Sequence, residues 1–455
     1  MNFKGKRLAL AGFGAEGRSA AYFLIKSGAR VEVFDSKPES DFHPAMIADL
    51  RQLGVKFYFG SMGPFIGFDA IVRSPGISPH IPELAATALQ GIPFTSATKI
   101  FFDLCPCRIV GVTGTKGKGI TSSLLHQMLL AAGKDAHLCG NIGAPALDFL
   151  EKLKPDSIVI YELSSFQLIE LEKSPQLAVV LMITGDHLDF HATREEYVAA
   201  KANIVKFQTK DDQAIINIDY PASRSMAAAT PAEVFSVSRK EKISTGAFVD
   251  DGFVVLAQDG ESRKIVSAAE VSLAGPHNLE NVCAAAMAAA LLGVPDAIIA
   301  ATIQSFKPLP HRLEFIRETG GVKYYDDSIS TTPESAIAAL RSFAAPKVMI
   351  LGGSDKGADW AEFAAVLAAD KSLKAIISIG EEWPKIQEAI SRNGQMNPKV
   401  EVVEGSANMS EVVQAAAKAA SQGDIVILSP ACASFDMFRN YQDRGEQFVA
   451  AVRAL

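Results

Sequence analysis

Residues 111–118 read Gly-Val-Thr-Gly-Thr-Lys-Gly-Lys, a run able to hold an anionic phosphate. Glycines let backbone N–H groups converge on one set of oxygens, and a helix beginning there adds partial positive charge. Lys118 supplies a point charge for β- and γ-phosphates. A Walker-type loop places Ser or Thr after its lysine to hold Mg²⁺, whereas this chain has Gly119. The bland alternative is a glycine turn with a solvated lysine. Glu162 ends the apolar run Ile158-Val159-Ile160-Tyr161 and is a candidate Mg²⁺ ligand, since a carboxylate beside a phosphate loop can hold a hard cation. Its alternatives are an N-cap or a surface acid. His187, flanked by Asp186 and Asp189, follows the next apolar run and has both donor and ligand capacity. Lys201 sits in the helical pattern of residues 195–201 and reads, on its own, as a surface lysine.

These residues need strands that end where they stand. Arg108, Ile109 and Val110 predict a strand before the loop, and residues 122–130 a helix after it. Residues 157–163 and 177–183 are apolar and β-branched without alternation, the pattern of buried parallel strands. A further strand is predicted within residues 211–219, then a less regular stretch to about Ile265 with alternation only at residues 252–256. An alanine-rich helix runs from Asn278 to Leu292, ended by Gly293 and Pro295. Ahead of all this, residues 7–35 read β, Gly-x-Gly-x-x-Gly, α, β, with Asp35 closing the second strand. That is a fingerprint for a nucleotide diphosphate, of which NAD is one occupant. A strand at residues 70–72 leads into Ser74-Pro75-Gly76. From Pro308 onward, strands at residues 347–351, 375–379, 400–403 and 424–428 alternate with helical patterns, a third α/β unit.

With 455 residues the chain is too long for one core. A net charge of −7 and no long Lys/Arg cluster argue against nucleic acid or an anionic membrane as main partner. No apolar stretch is long enough to span a bilayer, and residues 1–7 do not read as a signal-peptide core. Five scattered cysteines, with Cys105 and Cys107 too close for the usual zinc spacing, fit a reduced cytoplasmic protein.

Taken together these motifs resemble the Mur ligase family, and within it the branch that joins glutamate to UDP-N-acetylmuramoyl-L-alanine. The likeness runs through nearly the whole chain in order. It implies an α/β fold of three domains: a Rossmann-like UDP-sugar domain (1–97), a central P-loop ATPase-like domain (98–307) and a Rossmann-like amino-acid domain (308–455). It implies ATP and Mg²⁺, the two substrates just named, a monomer, and a place in peptidoglycan precursor synthesis. Gly114, Thr115, Lys116, Gly117, Lys118, Gly119 and Ile120 resemble the ATP loop, joined by Asn278, Asn281, Arg312 and the ribose-side Asp327. Glu162, His187 and Lys201 resemble metal-site residues, the lysine as a carbamate. Gly14, Asp35, Ser36, Ser74, Pro75, Gly76 and Asn141 would hold the UDP-sugar, and Thr331, Lys356, Ser434 and Tyr441 the amino acid. Lys118, Glu162, His187 and Lys201 are the catalytic set that the resemblance implies.

The chain departs from the family pattern at Lys116, Gly119, Ile120, Met182, Gly185, Ile329, Thr332 and Tyr441. Water, or the hydroxyl of Thr115 or Thr121, is expected to stand in for the missing loop hydroxyl. The implied chemistry is phosphorylation of a carboxylate to an acyl phosphate, then attack by an amine. Three rivals remain at this level. They are folylpolyglutamate- or cyanophycin-type ligation, a nucleotide-binding regulator without ligase activity, and a dehydrogenase resting on the first fingerprint alone. L-glutamate or another amino acid is the alternative within the ligase reading.

Overall fold

The computed structural model describes every residue except 1, 43, 143, 185–190, 192, 274, 308–309, 355–359, 393–400 and 405–407. Three sheets lie in two compact units, one of Met1–Val271 with His277–Phe306, the other of Ser272–Pro276 with Lys307–Leu455.

The first sheet contains β1 (Arg7–Ala11), β2 (Arg30–Asp35), β3 (Lys56–Phe59), β4 (Ala70–Arg73) and β5 (Phe94–Thr95). All are parallel in the order β3-β2-β1-β4-β5. Strand order reverses between β1 and β4, so a crevice opens at their carboxyl ends, where such sheets take ligands.

The second sheet contains β6 (Arg108–Thr113), β7 (Ala136–Gly140), β8 (Ile158–Glu162), β9 (Leu177–Val180), β10 (Gln213–Asn217), β11 (Glu233–Ser238), β12 (Gly246–Asp250), β13 (Phe253–Gln258) and β14 (Glu261–Ser267). The order is β14-β13-β12-β11-β10-β9-β6-β8-β7, with β13 and β14 antiparallel to their neighbours and the rest parallel.

Two expectations are corrected here. The strand expected over residues 177–183 ends at Val180, opposite Thr113, the last residue of β6. Beyond it the chain serves the phosphate loop instead, with Thr115 N–H donating to the Met182 carbonyl at 2.7 Å. The stretch expected to be irregular holds β11, β12 and β14 as well as β13. β14 opens with four exposed polar residues at the sheet edge, so it carries no apolar signal. Gly246 in β12 has φ 139°, and a Cβ there would meet the Ser236 carbonyl at 1.9 Å. Glycine is what lets this strand pair.

One apolar core joins the first two sheets, running from Leu10 and Leu24 through Ile100 and Phe101 to Tyr161 and Val180. The helix Ala97–Leu104, N-capped by Ser96, carries the middle of it.

The third sheet, in the other unit, contains β15 (Glu314–Thr319), β16 (Val322–Asp326), β17 (Lys347–Gly352), β18 (Leu373–Ile379), β19 (Glu401–Glu404) and β20 (Ile425–Leu428). The order is β15-β16-β20-β17-β18-β19, parallel except for β15. Among the described residues no helix is long and apolar enough to cross a membrane.

Candidate active site

The phosphate loop leaves β6 and enters the helix Lys118–Ala131, whose N-cap is Gly117 at φ 89°. A Cβ on Gly117 would stand 2.1 Å from Oδ1 of Asn281, so this left-handed, closely approached position suits glycine. Asn281 Nδ2 in turn donates to Asn278 Oδ1 at 3.0 Å. The helix His277–Leu291 therefore lays the expected Asn pair against the expected loop. His277 beside them is held below the usual imidazole range, chiefly by burial. The first amides of the loop helix lack acceptors within the helix and carry its positive end.

Lys118 Nζ donates to the Gly114 and Thr115 carbonyls at 2.9 and 3.2 Å. Lys201 Nζ donates to the same Gly114 carbonyl at 3.0 Å. The surface reading of Lys201 is thus corrected: the residue is 2% exposed, with its ammonium 4.8 Å from the Tyr197 ring centre. The helix Arg194–Lys206 turns that position inward, which helical spacing in a mostly polar segment does not reveal. Thr115 Oγ1 lies 2.9 Å from Tyr197 OH and accepts from Thr184 N–H at 3.0 Å, so the structure uses it to brace the loop. Thr121 is fully buried and its hydroxyl has no hydrogen-bond partner. Gly119 and Ile120 lie in the first turn of the loop helix.

Glu162 is the last residue of β8, on the strand directly beside β6 and paired with Val112 just before the loop, and is 3% exposed. Oε1 accepts from Asn141 Nδ2 at 2.9 Å, while Oε2 is buried without a hydrogen-bond partner. A buried carboxylate oxygen left unpaired is costly unless a cation meets it. The backbone is arranged around this pair. Asn141 N–H donates to the Glu162 carbonyl at 3.0 Å, and Gly140, at φ 100°, leaves room that a Cβ would fill. An acid, an orphaned oxygen and a phosphate loop fit a nucleotide phosphate with a divalent cation. His187 lies outside the described residues.

At the crevice of the first sheet, Asp35 accepts from Phe13 N–H at 2.7 Å and from Lys37 N–H at 2.9 Å. The Asp35 carboxylate thus fixes the glycine turn. Ser74 Oγ donates to the Gly12 carbonyl at 2.7 Å, and a Cβ on Gly17 would meet that carbonyl at 2.3 Å. Gly14, Ser36 and Gly76 are exposed around the crevice and Pro75 is half-buried.

Sequence reasoning missed the residues that lock this crevice to the second sheet. Arg73, 1% exposed, donates to the Ile77 and Phe166 carbonyls and pairs with Glu170 at 3.0 Å. Glu16 accepts from Gln167 Nε2, and burial pushes its carboxyl up to about 7. A signal existed for Arg73, a charged residue closing an apolar strand just before Ser-Pro-Gly. None existed for Glu16, whose partner is 151 positions away.

In the other unit, Asp327 follows β16 and is 3% exposed. Its oxygens accept from Leu313 N–H at 3.1 Å, from the Ser330 hydroxyl and from the Ser429 hydroxyl at 2.8 Å. Burial raises this carboxyl to about 6, against those donors and the nearby half-buried Arg312. Ser434 is buried, while Thr331 and Tyr441 are half-buried. Lys356 lies outside the described residues.

A five-stranded parallel nucleotide sheet, a second sheet with a phosphate loop and a third α/β sheet define a nucleotide-using ligase of three α/β domains. Residues 6–96 match the N-terminal domain of MurD-like Mur ligases, residues 112–289 the Mur ligase middle domain, and residues 311–432 the glutamate ligase domain. A UDP-N-acetylmuramoylalanine–D-glutamate ligase of Symbiobacterium thermophilum is 37% identical over 99% of this chain and 98% of its own. One from Acetivibrio thermocellus is 36% identical over 99% and 97%. The chain belongs to the Mur ligase family. Solved structures agree on the fold. A pseudomurein peptide ligase of Methanothermus fervidus superposes with TM-score 0.59 at 17% identity, covering 99% of this chain and 100% of its own. The MurF ligase of Thermotoga maritima with ADP gives 0.56 at 18%, covering 99% and 95%.

Proposed function

We infer that this chain is the ATP-dependent ligase that adds D-glutamate to UDP-N-acetylmuramoyl-L-alanine, through an acyl phosphate, in peptidoglycan precursor synthesis. The observation that carries the reading is full-length likeness to D-glutamate ligases together with a buried Glu162 oxygen without a hydrogen-bond partner on the strand beside the phosphate loop. Residues 1–97 bind the UDP-sugar, 98–307 bind ATP and 308–455 bind the amino acid.

Phosphorylation makes sense physically, because carboxylate oxygen leaves poorly and phosphate leaves well. Lys118 turns from its own loop carbonyls toward the transferred phosphate and offsets its charge. Glu162, with His187 and a carbamylated Lys201, would hold Mg²⁺, which when bound neutralises phosphate charge. Carbamylation would turn a second ammonium at the Gly114 carbonyl into an anion, removing its repulsion with Lys118. Asn141 orients Glu162 from the side on which the sugar would lie. Gly14, Asp35, Ser36, Ser74, Pro75 and Gly76 line the UDP crevice. Asn278, Asn281, Arg312 and Asp327 serve the nucleoside side, and Thr331, Lys356, Ser434 and Tyr441 the incoming amino acid.

The test is phosphate release from ATP with UDP-N-acetylmuramoyl-L-alanine, comparing D-glutamate, L-glutamate and no amino acid. Release with D-glutamate alone is expected, and release with L-glutamate alone would change the product's stereochemistry. Lys118→Ala should abolish release while thermal unfolding is unchanged; retained activity would remove the phosphate role of this lysine. Lys201→Ala should regain part of its lost activity with added short carboxylic acids, and no regain would count against the carbamate.

A further inference from the structure

Arg444 has no place in the scheme above, yet among the described residues it is a fully buried cation beside the loops assigned to the amino acid. It lies in the first turn of the helix Tyr441–Ala454 and is 0% exposed. Its hydrogen bonds all go to main-chain carbonyls and one hydroxyl. Nε donates to Ser328 Oγ at 3.0 Å and Nη2 to the Ser328 carbonyl at 2.8 Å. Nη2 also reaches the Cys432 carbonyl at 3.1 Å, and Nη1 the Ala433 carbonyl at 3.1 Å.

These acceptors lie on loops following two adjacent strands, β16 and β20. A third loop is drawn in. Ser354, after β17, donates its N–H to the same Ala433 carbonyl at 3.0 Å. Gly353 runs so close that a Cβ would stand 2.1 Å from that carbonyl and 3.2 Å from Arg444 Nη1. Ser328 Oγ closes the ring by donating to the Tyr441 carbonyl at 2.8 Å. From the helix that Tyr441 opens, one planar guanidinium therefore bonds Ser328, three residues before Thr331, and Ala433, one residue before Ser434. A lysine, with a single nitrogen on a flexible stem, cannot bond both loops in this fork geometry. Its direct bonds go to neutral acceptors, with the Asp326 and Asp436 carboxylates acting only through space, and such a buried charge is unfavourable unless its directed bonds are kept, so this geometry is strongly specified.

We propose that Arg444 is a positioning residue for the incoming amino acid: without touching it, the guanidinium holds the Ser328 and Cys432–Ala433 loops at the spacing its carboxylates require. This rests on the ligase reading given above. A site displaced by a fraction of an ångström loses affinity for the ligand it frames and spares ligands held elsewhere.

The experiment is steady-state kinetics on the full chain, with KM for D-glutamate, ATP and UDP-N-acetylmuramoyl-L-alanine measured separately, and thermal unfolding followed in parallel. Arg444→Lys should raise KM for D-glutamate about tenfold and Arg444→Met about a hundredfold, with the other two KM values within about twofold. Ser328→Ala, which keeps the cation and removes one acceptor and the Tyr441 tether, should raise the same KM by a smaller factor. If Arg444→Met does not fold, Arg444→Lys and Ser328→Ala decide. An unchanged KM for D-glutamate in folded Arg444→Lys, or a rise shared equally by all three substrates, overturns the proposal. A wild-type chain without D-glutamate-dependent phosphate release overturns the ligase reading and this inference with it. Wild-type release together with an unmoved KM in Arg444→Lys overturns this inference alone.

Discussion

Glu162 and Asp327 are both acids at or just past the carboxyl end of a parallel strand, and both are 3% exposed. Their surroundings differ. Asp327 spends both oxygens on internal donors, two serine hydroxyls and a backbone N–H. Glu162 spends one on Asn141 and leaves the other unpartnered. The first arrangement is closed and holds the Leu313, Ser330 and Ser429 segments together. The second is open to a cation. Glu16, inside the glycine turn of the first sheet, is a useful third case, since it too has a buried oxygen without a hydrogen-bond partner but has Gln167 and Arg73 as its polar neighbours. There burial is answered by a raised proton affinity instead. An orphaned oxygen marks a ligand site only where its neighbours supply the rest of the site.

The comparison breaks most visibly at Glu162. Glu162→Gln keeps the Asn141 bond and removes the charge, so D-glutamate-dependent phosphate release should fall by at least about a hundredfold. Thermal unfolding should hardly move, and a variant of normal activity would make Glu162 a second closed acid. Asp327→Ala should do the reverse in kind. It strands two hydroxyls and an N–H in the interior, and unfolding free energy should drop by about 2–4 kcal/mol in urea titration. An unchanged midpoint would show that this network does not hold the unit together.

The smallest effect is expected at Glu16, read as a pH dependence. Its carboxyl titrates near 7 folded against 4.5 ordinarily, so the folded chain binds the extra proton between those values. Stability from this group is complete below pH 4.5 and is lost as pH rises through 7. Glu16→Gln, which still accepts from Gln167, should therefore unfold later than wild type at pH 8 by about 1–2 kcal/mol, with little difference at pH 4.5. Equal pH dependence in the two proteins would remove Glu16 from the account.

The local patterns were legible without any fold. Strand, glycine turn, lysine and helix at residues 108–131, and the fingerprint at residues 7–35, depend on contacts within a few residues. So does Glu162, placed by the apolar run ahead of it. The strands β11, β12 and β14 were not legible, because polar edge residues and a closely packed glycine carry no period to read.

Sequence by itself determined the strands that lead into the phosphate loop and into Glu162, the loop itself and the family to which they belong, since those rest on backbone geometry and residue order. Tertiary structure alone decided that Lys201 is buried at the Gly114 carbonyl and that Asp327 is closed while Glu162 is open. It also decided that Arg444 bonds Ser328, which lies 116 positions before it. The physical reason is that hydrogen-bond satisfaction inside a core is set by partners far apart in the chain, and spacing carries no record of which donors a buried atom will meet.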